Sequence, residues 1–382
     1  MKNFYSRQGI SVHVTSPIAL ATQLAPVTFQ HELISYGHEI AVDGGFLSAS
    51  IGVRTKQKNI DEWIESGLGR DVAVYDSTGV VWNGFVNNIS ANIGTLSVSR
   101  GPMMNIGNRV EVMYSRIEDS GEPPEGGGTF ETPIVEDLAS QAKYGIIEKI
   151  MSVGQCTLAE AYLIRDTFLN DIKNPETTQG LSFSPGEVSM TLECRGYSDF
   201  LDAYIYNNTS TTYITLDVKI KAILTADPNG IFSADQTNID YNGPITQYLE
   251  DKNRFAGTII KSMVAMGDGS DNRWMFGVYD DRKAYYNSIA TTVDHSHRLY
   301  EGKPAVYGAG GASLKPWRVR PGVWVKVTDF LIGRQETSVI REDPRNVFIE
   351  SVRYTAPYGL DITGSRAGKL GQLLAKMGLG GA

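Results

Sequence analysis

The chain has 382 residues, 41% of them hydrophobic, with 43 acidic against 35 basic side chains and a formal net charge of −8. That length supports two or three cores at about 150 residues per domain, and the acidic balance excludes a general attraction to nucleic acid or anionic lipid. No run approaches the ~18 apolar residues of a membrane-spanning helix, while forty glycines, nineteen tyrosines and thirteen phenylalanines tilt the composition towards strands and turns.

The opening stretch MKNFYSRQGISVHVTSPIAL has no apolar core of about 7–15 residues behind a basic start, so it is not expected to be a secretory signal. From about Val27 to Tyr114 the text alternates in twos and is cut by turn residues. GFLSASIGV (45–53), DVAVYD (71–76), VVWNGFVNNIS (80–90), TLSVSRG (95–101) and RVEVMYSRI (109–117) each place apolar residues on one side of a pleated ribbon, which predicts an antiparallel sheet or barrel. One helix is predicted at NIDEWIESG (59–67), with Asn59 as cap and Ile60, Trp63 and Ile64 as its apolar stripe. SGEPPEGGGTFETP (120–133) is the clearest linker, because clustered Pro and Gly neither extend a helix nor fill a central strand.

After the linker, the 3.6-residue recurrence of PIVEDLASQAKYGIIEKIMS and TLAEAYLIRDTFLNDIK predicts a helical hairpin, with Pro133 and Thr157 as start signals. The C-terminal half is mixed. LDVKIKAILTAD (216–227) and NRFAGTIIKSMVAMG (253–267) read as helices, and strands resume at RWMFGVYD, RKAYYNSI, VWVKVTDFL and VFIESVRYTA. In the final SRAGKLGQLLAKMGLGGA, Leu370, Leu373, Leu374 and Met377 form an i, i+3, i+4, i+7 stripe beside Arg366, Lys369 and Lys376.

Motifs that carry chemistry are scarce. GDGSDNRW (267–274) resembles a calcium loop in its aspartates. Counted from Asp268, however, Arg273 falls where the glycine belongs and Tyr279 where the bidentate glutamate belongs, so it reads as a helix end, a polar loop and a hairpin turning at Asp280 and Asp281. DHSH (294–297) offers two histidines on one strand face, but no Glu-x-x-His or Cys-x-x-Cys completes a zinc set. His31-Glu32 and His38-Glu39 lie seven apart, the wrong spacing for a metalloprotease helix. There is no Gly-x-Ser-x-Gly elbow, and YGAGGASLK (307–315) lacks the Gly-Lys-Ser/Thr of a phosphate cradle. Cys156 and Cys194 read as free buried thiols of a reducing cytoplasm. No catalytic residue, cofactor or metal is therefore expected.

EVSMTLECRGYSDFLDAYIY followed by NRFAGTIIKSMVAMGDGSDNRWMFGVYDDRKAYYN resembles the central part of tail hub proteins of tailed bacteriophages. WRVRPGVWVKVTDFL and NVFIESVRYTAPYG are similar to that family's closing barrel, and VVWNGFVNNIS with NRVEVMYS to its first barrel. The resemblance covers about three quarters of the chain and is one of strand endings, not of a catalytic signature. It implies a mainly β fold with helical inserts (α+β), made of two barrel-like domains, a helical hairpin and a C-terminal amphipathic helix.

The corresponding divisions are a β-rich domain at 1–119, a linker at 120–133, a hairpin at 134–179, a mixed hub-like region with a second barrel at 180–364, and the amphipathic tail at 365–382. The resemblance also implies a virion tail protein, made in the bacterial host cytoplasm, whose homo-oligomeric ring, expected to be a trimer, joins the tail tube or distal tail protein to the puncturing or receptor-binding tip. Leu370, Leu373, Leu374 and Met377 are the expected docking residues for a tape-measure or tip/spike protein, and neither nucleic acid nor membrane is an expected partner. The other reading is a tail-associated or secreted protein that binds or degrades carbohydrate, stacking sugars on Trp274, Phe276, Tyr279, Tyr285, Tyr286, Trp317 and Trp324.

Overall fold

The computed structural model describes residues 2–5, 9–17, 32–117, 128–181, 186–243, 246–268, 272–289, 293–300, 303–308, 310–327, 339–340, 343, 345–356 and 359–365. The alternating N-terminal text becomes β1 (Lys2–Tyr5), β2 (Ser11–Pro17), β3 (Glu32–Ala41), β4 (Gly44–Arg54), α1 (Gln57–Ser66), β5 (Arg70–Asp76), β6 (Gly79–Ile93) and β7 (Leu96–Arg100). In α1 the stripe is as predicted, with Ile60 and Trp63 buried, but the helix starts earlier and Lys56, not Asn59, is its N-cap. β6 is the central strand. Its run Val81–Asn87 is buried without alternation, which is what a strand covered on both faces shows.

The middle of the chain forms β8 (Arg109–Arg116), β9 (Thr129–Glu131), β10 (Val135–Glu136), α2 (Leu138–Tyr144), β11 (Glu148–Cys156), α3 (Leu158–Ile172) and β12 (Thr177–Leu181). Next come β13 (Ser189–Arg195), a 3₁₀ turn at Tyr197–Asp202, β14 (Ile205–Asn208), β15 (Tyr213–Thr215), α4 (Leu216–Thr225), β16 (Thr246–Tyr248), β17 (Asp251–Phe255) and α5 (Ala256–Met266). The last strands are β18 (Trp274–Val278), β19 (Ala284–Ser288), β20 (Val293–Tyr300), β21 (Lys303–Tyr307), β22 (Trp324–Val327), β23 (Asn346–Thr355) and β24 (Gly359–Ser365).

The fold is mainly β, and no closed barrel is found among the described residues. One sheet runs β19-β18-β4-β13-β6-β5-β2-β1-β3-β23-β22-β20-β21, taking strands from both ends of the chain. β3 also pairs β4, so the pairings lead back on themselves, and among the described residues the link from β1 to β3 is the pair Tyr5 and Glu32. No second ring of pairings is made among the described residues. The physical reason lies in β23: its edge pairs β22 at one end and β3 at the other, which fuses the two expected units into one surface. Its core holds Phe46, Trp63, Trp82, Phe85, Tyr204, Tyr286 and Tyr354, all fully or nearly fully buried.

A clasp ties the turn before β22 to the end of β5 and the start of β6. Trp317 Nε1 donates to Asp76 Oδ2 at 2.8 Å, and Arg318 donates to both Asp76 oxygens and to the Val80 carbonyl.

The predicted helical hairpin is corrected. α2 is two turns long, capped by Asp137 accepting from Ser140 N at 2.9 Å, and ends at Gly145, whose φ of +79° stops the helix. IIEKIMS does not continue it. From Glu148 the chain is β11, parallel to β8 over Arg109–Arg116, because a free strand edge offered a ladder that the isolated pattern could not reveal. Thr157 does start a helix: a full capping box with Glu160 opens α3. β8, β9, β10 and β11 make a separate small sheet, and with α2 and α3 they form a lobe that has, among the described residues, a buried cluster of Tyr114, Cys156 and Ala161 besides the buried Val110, Val112 and Leu169. Both cysteines are free and buried.

Residues 366–382 lie outside the described residues, and with them Leu370, Leu373, Leu374 and Met377.

Candidate functional site

Four separate segments enclose a cavity of about 610 Å³. The turn before β4 brings Asp43 and Gly44. The 3₁₀ turn after β13 brings Ser198, Asp199, Leu201 and Asp202. α5 and the start of β18 supply the remaining wall.

Close backbone approach makes this arrangement possible. β18 runs parallel to β4 at Gly277 and Gly44, and a side chain at Gly45, whose φ is +78°, would come within 2.5 Å of the Val278 carbonyl oxygen. On the other wall, a Cβ at Gly257 would sit 2.1 Å from Asp202 Oδ1, so α5 meets the 3₁₀ turn only because that position is bare.

The wall is apolar: Leu47, Leu201, Ile260, Val264, Trp274 and Phe276. The charged groups are Asp43, Asp199 and Asp202 against Lys261 and Arg273, with Ser198 beside them. Lys261 Nζ lies 3.2 Å from Asp202 Oδ2, and Arg195 Nε lies 3.9 Å from Asp199 Oδ2. Arg273 engages Glu350 with both ends of its fork and stands 3.7 Å from Asp43 Oδ2.

Enclosure raises the Asp199 carboxyl above its ordinary value; Arg195 and Lys261 pull it back and Asp202 pushes it further up. The Asp43 carboxyl is raised likewise by loss of hydration, against the pull of Arg273. Among the described residues no histidine, cysteine or tyrosine lines the cavity, and no group of three His, Cys, Asp or Glu stands as a metal would need. What the arrangement can hold is an aliphatic or aromatic side chain with a cation at its edge.

The second candidate is the exposed surface of the lobe. Leu138 and Leu163 are 71% and 68% exposed, Ile134, Met151, Leu158 and Tyr162 are exposed in the same lobe, and so is Leu181 at the end of β12 in the main sheet. Arg165 ties part of this face together, its guanidinium 4.9 Å over the Tyr162 ring while Nη1 donates to the Pro133 carbonyl at 2.9 Å. Two strand edges border it. β11 pairs only β8, and β12 only β7, among the described strands. The stretch Ile150–Gln155 of β11 and all of β12 carry no charged residue, although charge is a common means of blunting an edge.

No protein-family model matches the chain, and no curated protein matches it. Among solved structures, the chain is similar to the 43 kDa tail protein of prophage MuSo2 from Shewanella oneidensis, at 8% identity over 94% of this chain and 97% of that one, with a TM-score of 0.43. It is also similar to a tail protein from Neisseria meningitidis MC58, at 10% identity over 95% and 98%, with a TM-score of 0.40. At these values neither likeness assigns a family or a role.

The residues singled out in the sequence are scattered. Of the aromatic set, Trp274, Phe276, Tyr286 and Trp324 are buried, and Trp274 packs on Tyr286 with ring centres 4.7 Å apart. His295 and His297 fall in β20, their side chains outside the described residues, and His31 falls outside them altogether. His38 is buried, with Nδ1 2.8 Å from the Tyr36 hydroxyl, and burial together with Arg320 lowers its pKa to about 3. GDGSDNRW ends α5 and leads into the β18–β19 hairpin, with Asp268 accepting from Asn272 N at 2.9 Å; residues 269–271 lie outside the described residues.

The cavity had one signal in the sequence. TIIKSMVAM is apolar on two faces: Ile259 and Met263 serve the core, and Ile260 and Val264 line the cavity. A helix apolar on two faces has two things to cover.

Proposed function

We propose that this chain is a structural component of a bacteriophage tail, of the hub type, which assembles with copies of itself into a ring between the tail tube and the tip. The observation that carries this reading is the lobe's exposed surface. Six exposed apolar side chains of the lobe, and Leu181 of the neighbouring β12, accompany two strand edges that carry no charge over residues 150–155 and 177–181. Such edges need partners in a soluble protein, and a symmetric ring supplies them with the same patch in every copy.

The strand-ending resemblance supports the reading further, and the similar solved structures are themselves tail proteins, which agrees with it without carrying it. Within this proposal the second sheet region acts as the hub's second barrel, closed by neighbouring strands in the ring. Leu370, Leu373, Leu374 and Met377 then dock to a tape-measure or tip/spike protein of the assembled tail.

The test is size-exclusion chromatography with light scattering on the purified chain, followed by imaging of the particles. A discrete ring is expected, and Leu163→Asp combined with Met151→Asp should leave folded monomers. A wild-type monomer at high concentration, with tails that assemble normally around the doubly substituted chain, would sink the proposal.

A further inference from the structure

We propose that the cavity beside α5 is a docking site for a segment of another protein in which an apolar side chain stands next to a lysine or arginine. The apolar group covers the cavity floor and the cation meets Asp43 and Asp199. This goes beyond the assembly reading, which rests on the lobe, and neither depends on the other.

Size and floor come first. The space is about 610 Å³, within the range of roughly 300–1,000 Å³ that buries most of a drug-sized ligand. Leu201, Ile260, Trp274 and Phe276 border it although each is buried in the fold. Water over such a floor forfeits contacts that an apolar side chain supplies. Bare backbone keeps the space open: a Cβ at Gly44 would come within 2.6 Å of Leu47 Cδ2, and both residues line the cavity. The rim is accessible, the side chains of Asp43 and Lys261 being 66% and 74% exposed, so a passing chain can lay a side chain into it.

Charge selects the occupant. Asp202 is answered by Lys261 at 3.2 Å, and the fork of Arg273 is taken by Glu350. Among the described residues, the nearest cations to Asp43 and Asp199 are Arg273 at 3.7 Å and Arg195 at 3.9 Å, both beyond hydrogen-bond reach. The two carboxylates belong to segments in contact. A Cβ at Gly44, next to Asp43, would stand 3.5 Å from the hydroxyl oxygen of Ser198, next to Asp199.

Loss of hydration raises both carboxyls, against the pull of Arg273 on Asp43 and of Arg195 on Asp199. An ammonium or guanidinium brought to this side therefore meets two under-compensated acids and a hydroxyl that can accept. An anion would face the same acids and would have to displace Glu350 from Arg273.

The test uses the full-length chain and three capped dipeptides, para-fluorophenylalanyl-lysine, -glutamine and -glutamate, each titrated by fluorine NMR. The lysine dipeptide should bind about tenfold more tightly than the glutamine one, and the glutamate one most weakly. Asp43→Asn, at the exposed rim, should lower the preference for lysine about threefold, and Asp43→Asn with Asp199→Asn should abolish it. Ala265→Trp fills the mouth from an exposed position of α5 and should weaken all three dipeptides about tenfold. Urea unfolding of each variant checks that it is folded.

Equal binding of the lysine and glutamine dipeptides, a preference that survives the double exchange, or binding indifferent to Ala265→Trp overturns the proposal. So does failure of the lysine dipeptide to bind at about 10 mM. Loss of self-association in Ala265→Trp without dipeptide binding would make a second copy the occupant, which also overturns it. Light scattering on the wild-type chain reads the assembly separately, so a monomer that keeps the preference for lysine counts against the ring alone.

Discussion

In the main sheet, β6 hides Trp82, Phe85, Val86 and Ile89 almost completely, whereas in the lobe α3 buries only Ala161 and Leu169 and leaves Leu158, Tyr162 and Leu163 in solvent. Both regions are built from the same kinds of side chain. The difference is in what covers them: the sheet is packed by α1, α5 and its own far strands, and the lobe has two helices, one of them only two turns long, on one small sheet. A region that meets its packing needs internally is a scaffold, and one that does not is asking for a neighbour.

The largest effect that would break this comparison is in the core. Trp82→Ala should lower the free energy of unfolding by about 3–5 kcal/mol, measured by urea titration, while Phe130→Ala in the half-covered lobe should cost about 1–2 kcal/mol. Equal costs would mean that the lobe is packed as well as the sheet.

Acid should separate the two regions next. His38 of β3 is neutral when folded, with a pKa lowered to about 3 by burial and by Arg320. The unfolded chain takes up its proton near 6.5, so the stability His38 contributes is complete above that value and is lost as pH falls towards 3, at about 1.4 kcal/mol per unit. In the lobe the sign reverses. Burial and the nearby Glu131 and Glu148 raise the Glu111 carboxyl, so protonation favours the folded state as pH falls. Hydrogen exchange compared at neutral and mildly acidic pH should therefore show β3 loosening relative to β11, and His38→Gln should remove most of that change. Parallel loosening of both strands in wild type would contradict the assignment.

A smaller effect sharpens the lobe itself. Thr157→Ala removes the capping box of α3 and should cost about 1 kcal/mol, visible as faster exchange in α3 with β6 unchanged. The smallest is Leu163→Ser. It should alter monomer stability by less than about 0.5 kcal/mol while weakening self-association, and a large loss of stability would show that Leu163 supports the fold and not a contact.

How much was legible follows from the range of each signal. Strand alternation found β4, β5, β6, β7 and β8 because alternation is local, and Thr157 with Glu160 announced α3 for the same reason. β11 was misread since Ile146, Ile147, Ile150 and Met151 fit a helix as well as a strand, and only the ladder to β8 decides between them. Pairings such as Tyr354 with His38 leave no periodic trace, so the single continuous sheet was hidden behind the expectation of two barrels. The cavity was illegible as a site because its carboxylates come from Asp43, Asp199 and Asp202, on segments that only the fold brings together.

The seam between β3 and β23 has a temporal consequence. Residues 37–41 find their hydrogen-bonding mates at 351–355, so during synthesis β3 waits for the ribosome to deliver the far end of the message. At about 5–20 residues per second that interval is roughly fifteen to sixty seconds. Until then one margin of the nascent sheet stands open, and chaperone demand during synthesis should track the length of that wait more closely than the final stability of the product.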